Sequence, residues 1–279
     1  VPEQKREFPY TRQDFNQLCK LVNQHTGIQL AAGKEDMLYG RLSRRIRKLG
    51  LPSFKAYIQL LKKDEQSDEF GEFVNAVTTN LTSFFREKHH FDYLKQTVLP
   101  ELMKRNRDTK RIRIWSAGCS TGEEPYSIAM TVAETMPLGW DVKILATDLD
   151  TNVLQHGETG VYDESRIEGL SKATVKRWFV RNKQHPGKVR VQPELQGLIY
   201  FKQLNLLQPW PMKGPIDIIF CRNVIIYFDM PTKQTLMERY AKMLVDNGHL
   251  FLGHSEAMNH MSDSYTLAGK SVYINTAHS

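Results

Sequence analysis

The segment RIRIWSAGCSTGEEPYSIAMTVAETM, residues 111–136, constrains the fold of this chain more than any other. Its first residues alternate apolar and polar, as a strand does. Two glycines, Gly118 and Gly122, follow among small residues, and then a helical pattern begins. Strand, glycine turn and helix in that order form the ligand-binding corner of a doubly wound sheet, where backbone N–H groups point at the ligand. This helix opens with Glu123 and Glu124. Carboxylates suit the positive end of a helix but repel an anionic ligand. The turn is not a true G-x-G-x-x-G, and no G-x-x-x-x-G-K-[ST] occurs. The ligand must therefore want a glycine turn and a carboxylate together.

Further short apolar runs, KILATDLD, DIIFCRN and HLFLGHS, alternate with helical segments such as PYSIAMTVAETM and TKQTLMERYAKMLV. That rhythm predicts an α/β fold with a doubly wound, mostly parallel sheet over about residues 93–279. The alternation breaks between about residues 165 and 204, where a helix, the strand VRV and the strand LIYF follow one another. We expect an inserted antiparallel β-subdomain there, and a closing hairpin around Gly269. Residues 1–78 read as four short helices forming a small all-α domain; Phe15, Leu18, Cys19 and Val22 mark one apolar face, and Gly27 its C-cap. Residues 79–92 read as a linker with a task, because TTNLTSFFREKHHF mixes polar and aromatic residues without a period.

No apolar run is long enough for a membrane span, so no membrane insertion is expected. VPEQKREFPY lacks the apolar core of a signal peptide and an initiator Met, which suggests a trimmed or processed chain. Cys19, Cys119 and Cys221 are dispersed and fit no metal spacing, as expected of reduced thiols in a cytoplasmic protein. The formal charge of +7 suggests an acidic partner, either nucleic acid or an acidic protein surface.

The strand ending in ATDLD puts Asp148 and Asp150 past its carboxyl edge, where a ribose hydroxyl is usually held; Asp148 lies nearer the strand end. A ligand with a ribose, an adenine and a positive charge meets these demands. S-adenosylmethionine has all three, and Glu123 or Glu124 could accept hydrogen bonds from its ammonium group. Asn80, Thr82 and Arg86 in the linker, and Arg222, Asn223 and Tyr227 past the apolar run IIFC, are harder to explain as packing.

NLTSFFRE, SAGCSTGEEPYS, ATDLD, FCRNVIIYF and GHSE occur in the order found in the chemotaxis receptor methyltransferases, the CheR family, which this chain resembles over nearly its whole length. The resemblance implies S-adenosylmethionine-dependent methylation of glutamate side chains on bacterial chemoreceptors, with S-adenosylhomocysteine as the second product. By similarity, Asn80, Thr82, Arg86, Glu124, Asp148, Asn205, Leu206, Arg222 and Asn223 contact the cofactor. Glu124 faces the methionine amino group, Asp148 the ribose, and Asn205 and Leu206 the adenine side. Arg86 and Tyr227 are the pair nearest the transferred methyl. In part of the family the β-subdomain captures a receptor C-terminal peptide by strand addition. The flap loop RNKQHPGKVRV is the variable part.

The chemistry asks for little machinery. A glutamate is ionised at neutral pH, so in-line attack on a methyl group needs no general base. Alignment and desolvation remain. His89, His90 and His254 belong to different segments, and no carboxylate or cysteine in the sequence completes a ligand set, so structural roles are expected and no metal. Arg41, Arg44, Arg45 and Lys48 fall on one stripe of a helix, opposite Leu42, Ile46 and Leu49. A stripe of one sign resembles the family's receptor-docking helix. Three other readings remain at this level, a dehydrogenase being the weakest. A nucleic-acid methyltransferase fits the basic charge, but the N-P-P-Y-type loop is absent, so no nucleic-acid partner is expected. A non-catalytic S-adenosylmethionine sensor is opposed by the presence of Arg86 and Tyr227. A dehydrogenase lacks its glycine fingerprint.

Overall fold

The computed structural model describes residues 6–181, 186–258 and 261–277. Contacts within the chain divide it into two units: residues up to Thr79 together with Tyr227–Asp229, and Asn80–Ile226 together with Met230–Ser279.

The first unit is helical. Helix α1 (Arg12–Thr26) opens on a capping box between Thr11 and Asp14 and ends at Gly27, whose φ of 71° is the left-handed conformation glycine adopts without strain. Helix α2 (Glu35–Lys48) buries Leu38, Leu42 and Ile46. Leu49, expected on that face, is 39% exposed because the helix has ended. Helices α3 (Phe54–Lys63) and α4 (Asp68–Val77) start on serine caps, Ser53 and Ser67. Phe70, Phe73, Val74 and Val77 form the buried face of α4.

The second unit opens with an irregular segment, residues 80–88, and then helix α5 (His89–Tyr93), a π turn (Leu94–Val98) and helix α6 (Leu99–Arg105). The remaining elements are β1 (Arg111–Ala117), α7 (Glu123–Thr135), β2 (Asp141–Asp148), α8 (Thr151–Thr159), β3 (Val161–Asp163), α9 (Lys172–Trp178), β4 (Phe179–Arg181), β5 (Lys188–Val191), α10 (Pro193–Gln196), β6 (Ile199–Gln203), β7 (Ile216–Cys221), α11 (Met230–Met243), β8 (Leu244–Leu252), β9 (Tyr265–Gly269) and β10 (Val272–Asn275).

Seven strands form the main sheet in the order β6-β2-β1-β7-β8-β10-β9. The first five run parallel, and β10 and β9 add an antiparallel edge. Chain order reverses between β1 and β7, which opens a crevice beyond their carboxyl ends. Strands β1 and β7 are buried on both faces, as a sheet covered by helices on both sides requires.

The inserted sheet differs from the expected flap. Its order is β3-β5-β4, all antiparallel. LIYF, expected within it, instead forms β6 and pairs in parallel with β2, Ile144 opposite Ile199. The VRV strand pairs with Phe179–Arg181 on one side and on the other with Val161–Asp163, a short strand ahead of the expected boundary. Part of the variable loop, residues 182–185, lies outside the described residues.

Candidate active site

The glycine turn lies at the mouth of the crevice. Gly118 and Cys119 both donate their N–H to Thr147 O, at 2.8 and 2.9 Å, so the turn folds over the end of β2. Gly118 has φ of +90°, and a Cβ there would stand 2.3 Å from Val224 Cγ2. Only a glycine lets the turn pass that close to the chain leaving β7. Gly122, at φ +96°, starts α7 without a side-chain cap.

Those two carboxylates have separate partners. Glu123 is fully buried; its Oε1 pairs with the Arg166 guanidinium, and its Oε2 accepts from Thr121 Oγ1 at 2.6 Å. Glu124 Oε1 accepts from Ser116 Oγ at 2.7 Å, and its Oε2 lies 3.2 Å from Arg222 Nη1. Burial pushes the Glu124 carboxyl above its ordinary range, against the opposing pull of Arg222 and Ser116. Its own partners therefore do not fully replace the water it has lost.

Asp148 accepts the N–H of Ser120 at 2.8 Å and of Asp150 at 3.0 Å, and burial raises its pKa as well. Asp150 caps α8 through Asn152 N and Val153 N and takes the Asn80 amide at 2.8 Å, so it ties the linker to the sheet end.

The segment 80–87 is tied down along its length. Ser120 Oγ donates to Asn80 O at 3.0 Å, Arg166 Nη2 to Thr82 O at 2.7 Å, and Phe85 N to Ser127 Oγ at 2.9 Å. Arg222 donates to Arg86 O. Phe85 and Glu87 hold φ of 51° and 56°, an unfavourable region for side chains of this size that the surrounding bonds impose on both flanks of Arg86. Arg86 is half-buried as a residue and, among the described residues, its guanidinium hydrogen-bonds only Leu81 O, at 2.8 Å.

Arg222 is the buried cation of the site. Besides Glu124 it faces Glu87 at 3.4 Å and lies over the Phe91 ring at 5.5 Å, while its Nε has no hydrogen-bond partner among the described residues. Glu87 also accepts from His254 N and faces His254 Nδ1 at 2.9 Å, with Asn223 Nδ2 at 3.4 Å. Burial alone would raise the Glu87 carboxyl, but the His254 bond and the Arg222 charge outweigh it and bring it down to about 2. Asn223 is held by Glu256, which accepts its N–H at 2.7 Å and that of Gly253 at 2.7 Å.

This corrects one expectation. Glu87, which the spacing left out, does join His89 and His90. Its oxygens already face Arg222, His254 and Asn223. His90 Nε2 faces Lys270 O at 2.9 Å, and burial lowers its pKa to about 4, so the ring is neutral.

On the far side, Asn205 Oδ1 accepts Leu207 N at 2.9 Å, and Leu206 is 8% exposed. Arg239 donates to Leu206 O at 2.6 Å and stacks over Trp210 at 3.9 Å, which fixes this loop. Tyr227 ends a 3-10 turn and groups with the helical unit, its carbonyl accepting Gln29 N at 2.8 Å. The geometry above is therefore that of the second unit alone.

These residues fit the cofactor that the sequence suggested. Asp148 and Glu124 are carboxylates under-compensated by their own surroundings, suited to hydroxyl and ammonium donors.

Two family models match the chain: the CheR methyltransferase SAM binding domain over residues 80–274, and the CheR methyltransferase all-alpha domain over residues 13–78. The chain belongs to the CheR methyltransferase family. It is 44% identical over 264 residues to a chemotaxis protein methyltransferase of Escherichia coli, covering 93% of this chain and 89% of that protein. It is 46% identical over 271 residues to chemotaxis protein methyltransferase 2 of Pseudomonas aeruginosa, covering 96% and 95%. This CheR protein is thus a methyltransferase, and S-adenosylmethionine is its cofactor. No helix among its described residues is long and apolar enough to cross a membrane.

The residues that sequence reasoning missed are Glu87, Arg166 and Glu256. The signal for Glu87 was present, since it follows Arg86 directly. For Arg166 none was, because its partners lie 43 and 84 positions away.

The basic stripe of α2 divides. Arg41 donates to the carbonyls of Ala76, Val77 and Thr78 and so caps α4. Arg45 pairs with Glu69 and Glu72. Arg44 and Lys48 are exposed, four residues apart on the helix.

Proposed function

We propose that this CheR methyltransferase acts, in the bacterial cytoplasm, on glutamate side chains of chemoreceptor cytoplasmic domains, forming methyl esters. The observation that carries this reading is the contrast between a cation enclosed by carboxylates and one that has no carboxylate partner among the described residues. Arg222 is enclosed by Glu87 and Glu124, whereas Arg86 keeps guanidinium donors for an incoming carboxylate. Bound S-adenosylmethionine supplies an electrophilic methyl group. The residues of the chain bind, align and exclude water: Asp148 takes the ribose, Glu124 the ammonium, and Asn80, Thr82, Asn205, Leu206 and Asn223 line the pocket. Arg86 orients the glutamate carboxylate. Tyr227 is the second residue assigned near the methyl group. A carboxylate nucleophile needs no base.

The exposed pair Arg44 and Lys48 would meet the acidic helical surface of the receptor, with Arg41 and Arg45 holding the helix that presents them. A second contact is the β-subdomain. Strand β4 is an edge, and beside it lies a cavity of about 650 Å³ lined by Glu164, Ile167, Leu170, Lys176, Phe179 and Arg181. An extended receptor C-terminal peptide would add a strand to that edge and raise the local concentration of substrate.

The test uses cofactor labelled on its methyl group with receptor-containing membranes, followed by mild alkali. Label on the receptor, released as methanol, supports carboxyl methyl esters; alkali-stable label overturns the substrate. Arg86→Ala should abolish turnover with cofactor affinity retained. Equal loss of both would make Arg86 a cofactor ligand only.

A further inference from the structure

We infer that Arg166, on the inserted segment, is a positioning residue that sets the cofactor-binding geometry of residues 80–86. The inference rests on the assignment of Asn80 and Thr82 to the cofactor.

Arg166 lies on the 3-10 turn Glu164–Ile167, directly after β3. Its Nε stands 3.1 Å from Glu123 Oε1, and its Nη2 reaches the same oxygen. That Nη2 also donates to Thr82 O at 2.7 Å. One guanidinium thus joins a buried carboxylate on the first residue of α7 to the backbone of the linker. The other ties of that linker come from the ends of the main-sheet strands and from α7, through Ser120, Asp150, Ser127 and Arg222. The tie at Thr82 comes from the insertion.

The insertion grips the glycine turn at a second point. Tyr162 Oη, on β3, donates to Thr121 O at 2.7 Å, and a Cβ on Gly122 would lie 2.8 Å from it. Tyr162 and Arg166 therefore hold the turn and the linker in one register. Glu123 is fully buried while the Arg166 side chain is 38% exposed, so the arginine approaches from the surface to neutralise a carboxylate that has no access to water. A lysine at this position has one ammonium and no planar fork, and cannot serve both acceptors in the same geometry.

The experiment compares Arg166→Met, Arg166→Lys and the double variant Glu123→Gln/Arg166→Met with the wild type. Removing Arg166 alone leaves a buried charge and can impair folding. The double variant removes both charges, keeps the side-chain volume and still loses the tie to Thr82. Both Met variants should raise Kd and KM for S-adenosylmethionine about tenfold, with kcat at saturating cofactor changed less than about twofold. Amide hydrogen exchange over residues 80–88 should quicken, and Arg166→Lys should recover part of the affinity. A folded double variant that binds the cofactor as the wild type does, or exchanges no faster at 80–88, overturns the proposal. Asn80→Ala separates the two levels. If it weakens binding while the double variant does not, the role of Arg166 alone falls. If neither weakens binding, the linker assignment falls and takes this inference with it.

Discussion

Arg222 and Glu124, 98 positions apart, face each other at 3.2 Å with both side chains buried. The pair couples the two strand ends of the crevice, since Glu124 follows β1 and Arg222 follows β7. A buried pair of this kind contributes little net stability, but removing one member leaves the other uncompensated. Arg222→Met should therefore cost about 3 kcal/mol or more, because Glu87 and Glu124 both lose their cation. Glu124→Gln keeps the shape and an acceptor for Ser116, and should cost less stability while weakening cofactor binding by about tenfold or more. Urea unfolding and calorimetric titration of the two variants check this. Equal stability losses with no change in affinity would remove Glu124 from the cofactor site.

Gly118→Ala should be severe. The added Cβ meets Val224 Cγ2 at 2.3 Å, and φ of +90° is strained for any side chain. A loss of about 2 kcal/mol or more is expected, with cofactor affinity falling because the turn must move. Val224→Ala in the same background relieves the contact but not the φ strain, so it should recover only part of the stability. Full recovery would place the whole effect in the contact.

Charge reversal on α2 should separate docking from folding. Arg44→Glu with Lys48→Glu alters exposed residues, and should raise KM for receptor while leaving the melting temperature and cofactor affinity near wild type. Arg45→Glu breaks the paired contacts to Glu69 and Glu72 and turns three carboxylates on one another, so it should cost about 2 kcal/mol or more. Steady-state methylation and thermal melts distinguish the two. An unchanged receptor KM in the double reversal removes the docking role.

His249 gives the fold an acid-sensitive point. It lies on β8, and burial, with a smaller contribution from Arg105, lowers its pKa to about 4. Glu101, 3.8 Å away, is largely exposed and does not offset this. The unfolded chain takes up the proton near pH 6.5 and the folded one only near 4, so stability is full above 6.5 and falls as the pH drops between them. The loss from this site between pH 7.5 and 5 should be on the order of 2 kcal/mol. His249→Leu should flatten that limb in urea unfolding at the two pH values. Equal slopes in both proteins would assign the acid sensitivity elsewhere.

The order of strands and helices, the glycine turn and the four front helices were legible in the sequence because each depends on short-range information. Apolar periodicity, serine caps such as Ser53 and Ser67, and the positive φ of Gly27, Gly118 and Gly122 act within a few residues. For the same reason Asp148 could be placed at a strand end, where it closes β2. LIYF was legible as a strand but not as a neighbour of β2, since period-two alternation is silent about the partner.

What the tertiary structure alone decided is how the charges are compensated. Composition cannot tell that Arg41 and Arg45 are committed within the helical unit while Arg44 is exposed, or that Glu87 meets His254 across 167 positions. Nor can it tell that Glu123 belongs to Arg166 and Glu124 to Arg222. A buried charge must be neutralised by whichever opposite charge shares its space, and the packing of distant segments determines that sharing. The sequence by itself determined where a ligand would lie and what chemistry it would bring; only the packed chain determined which carboxylates and guanidinium groups remain available to hold it.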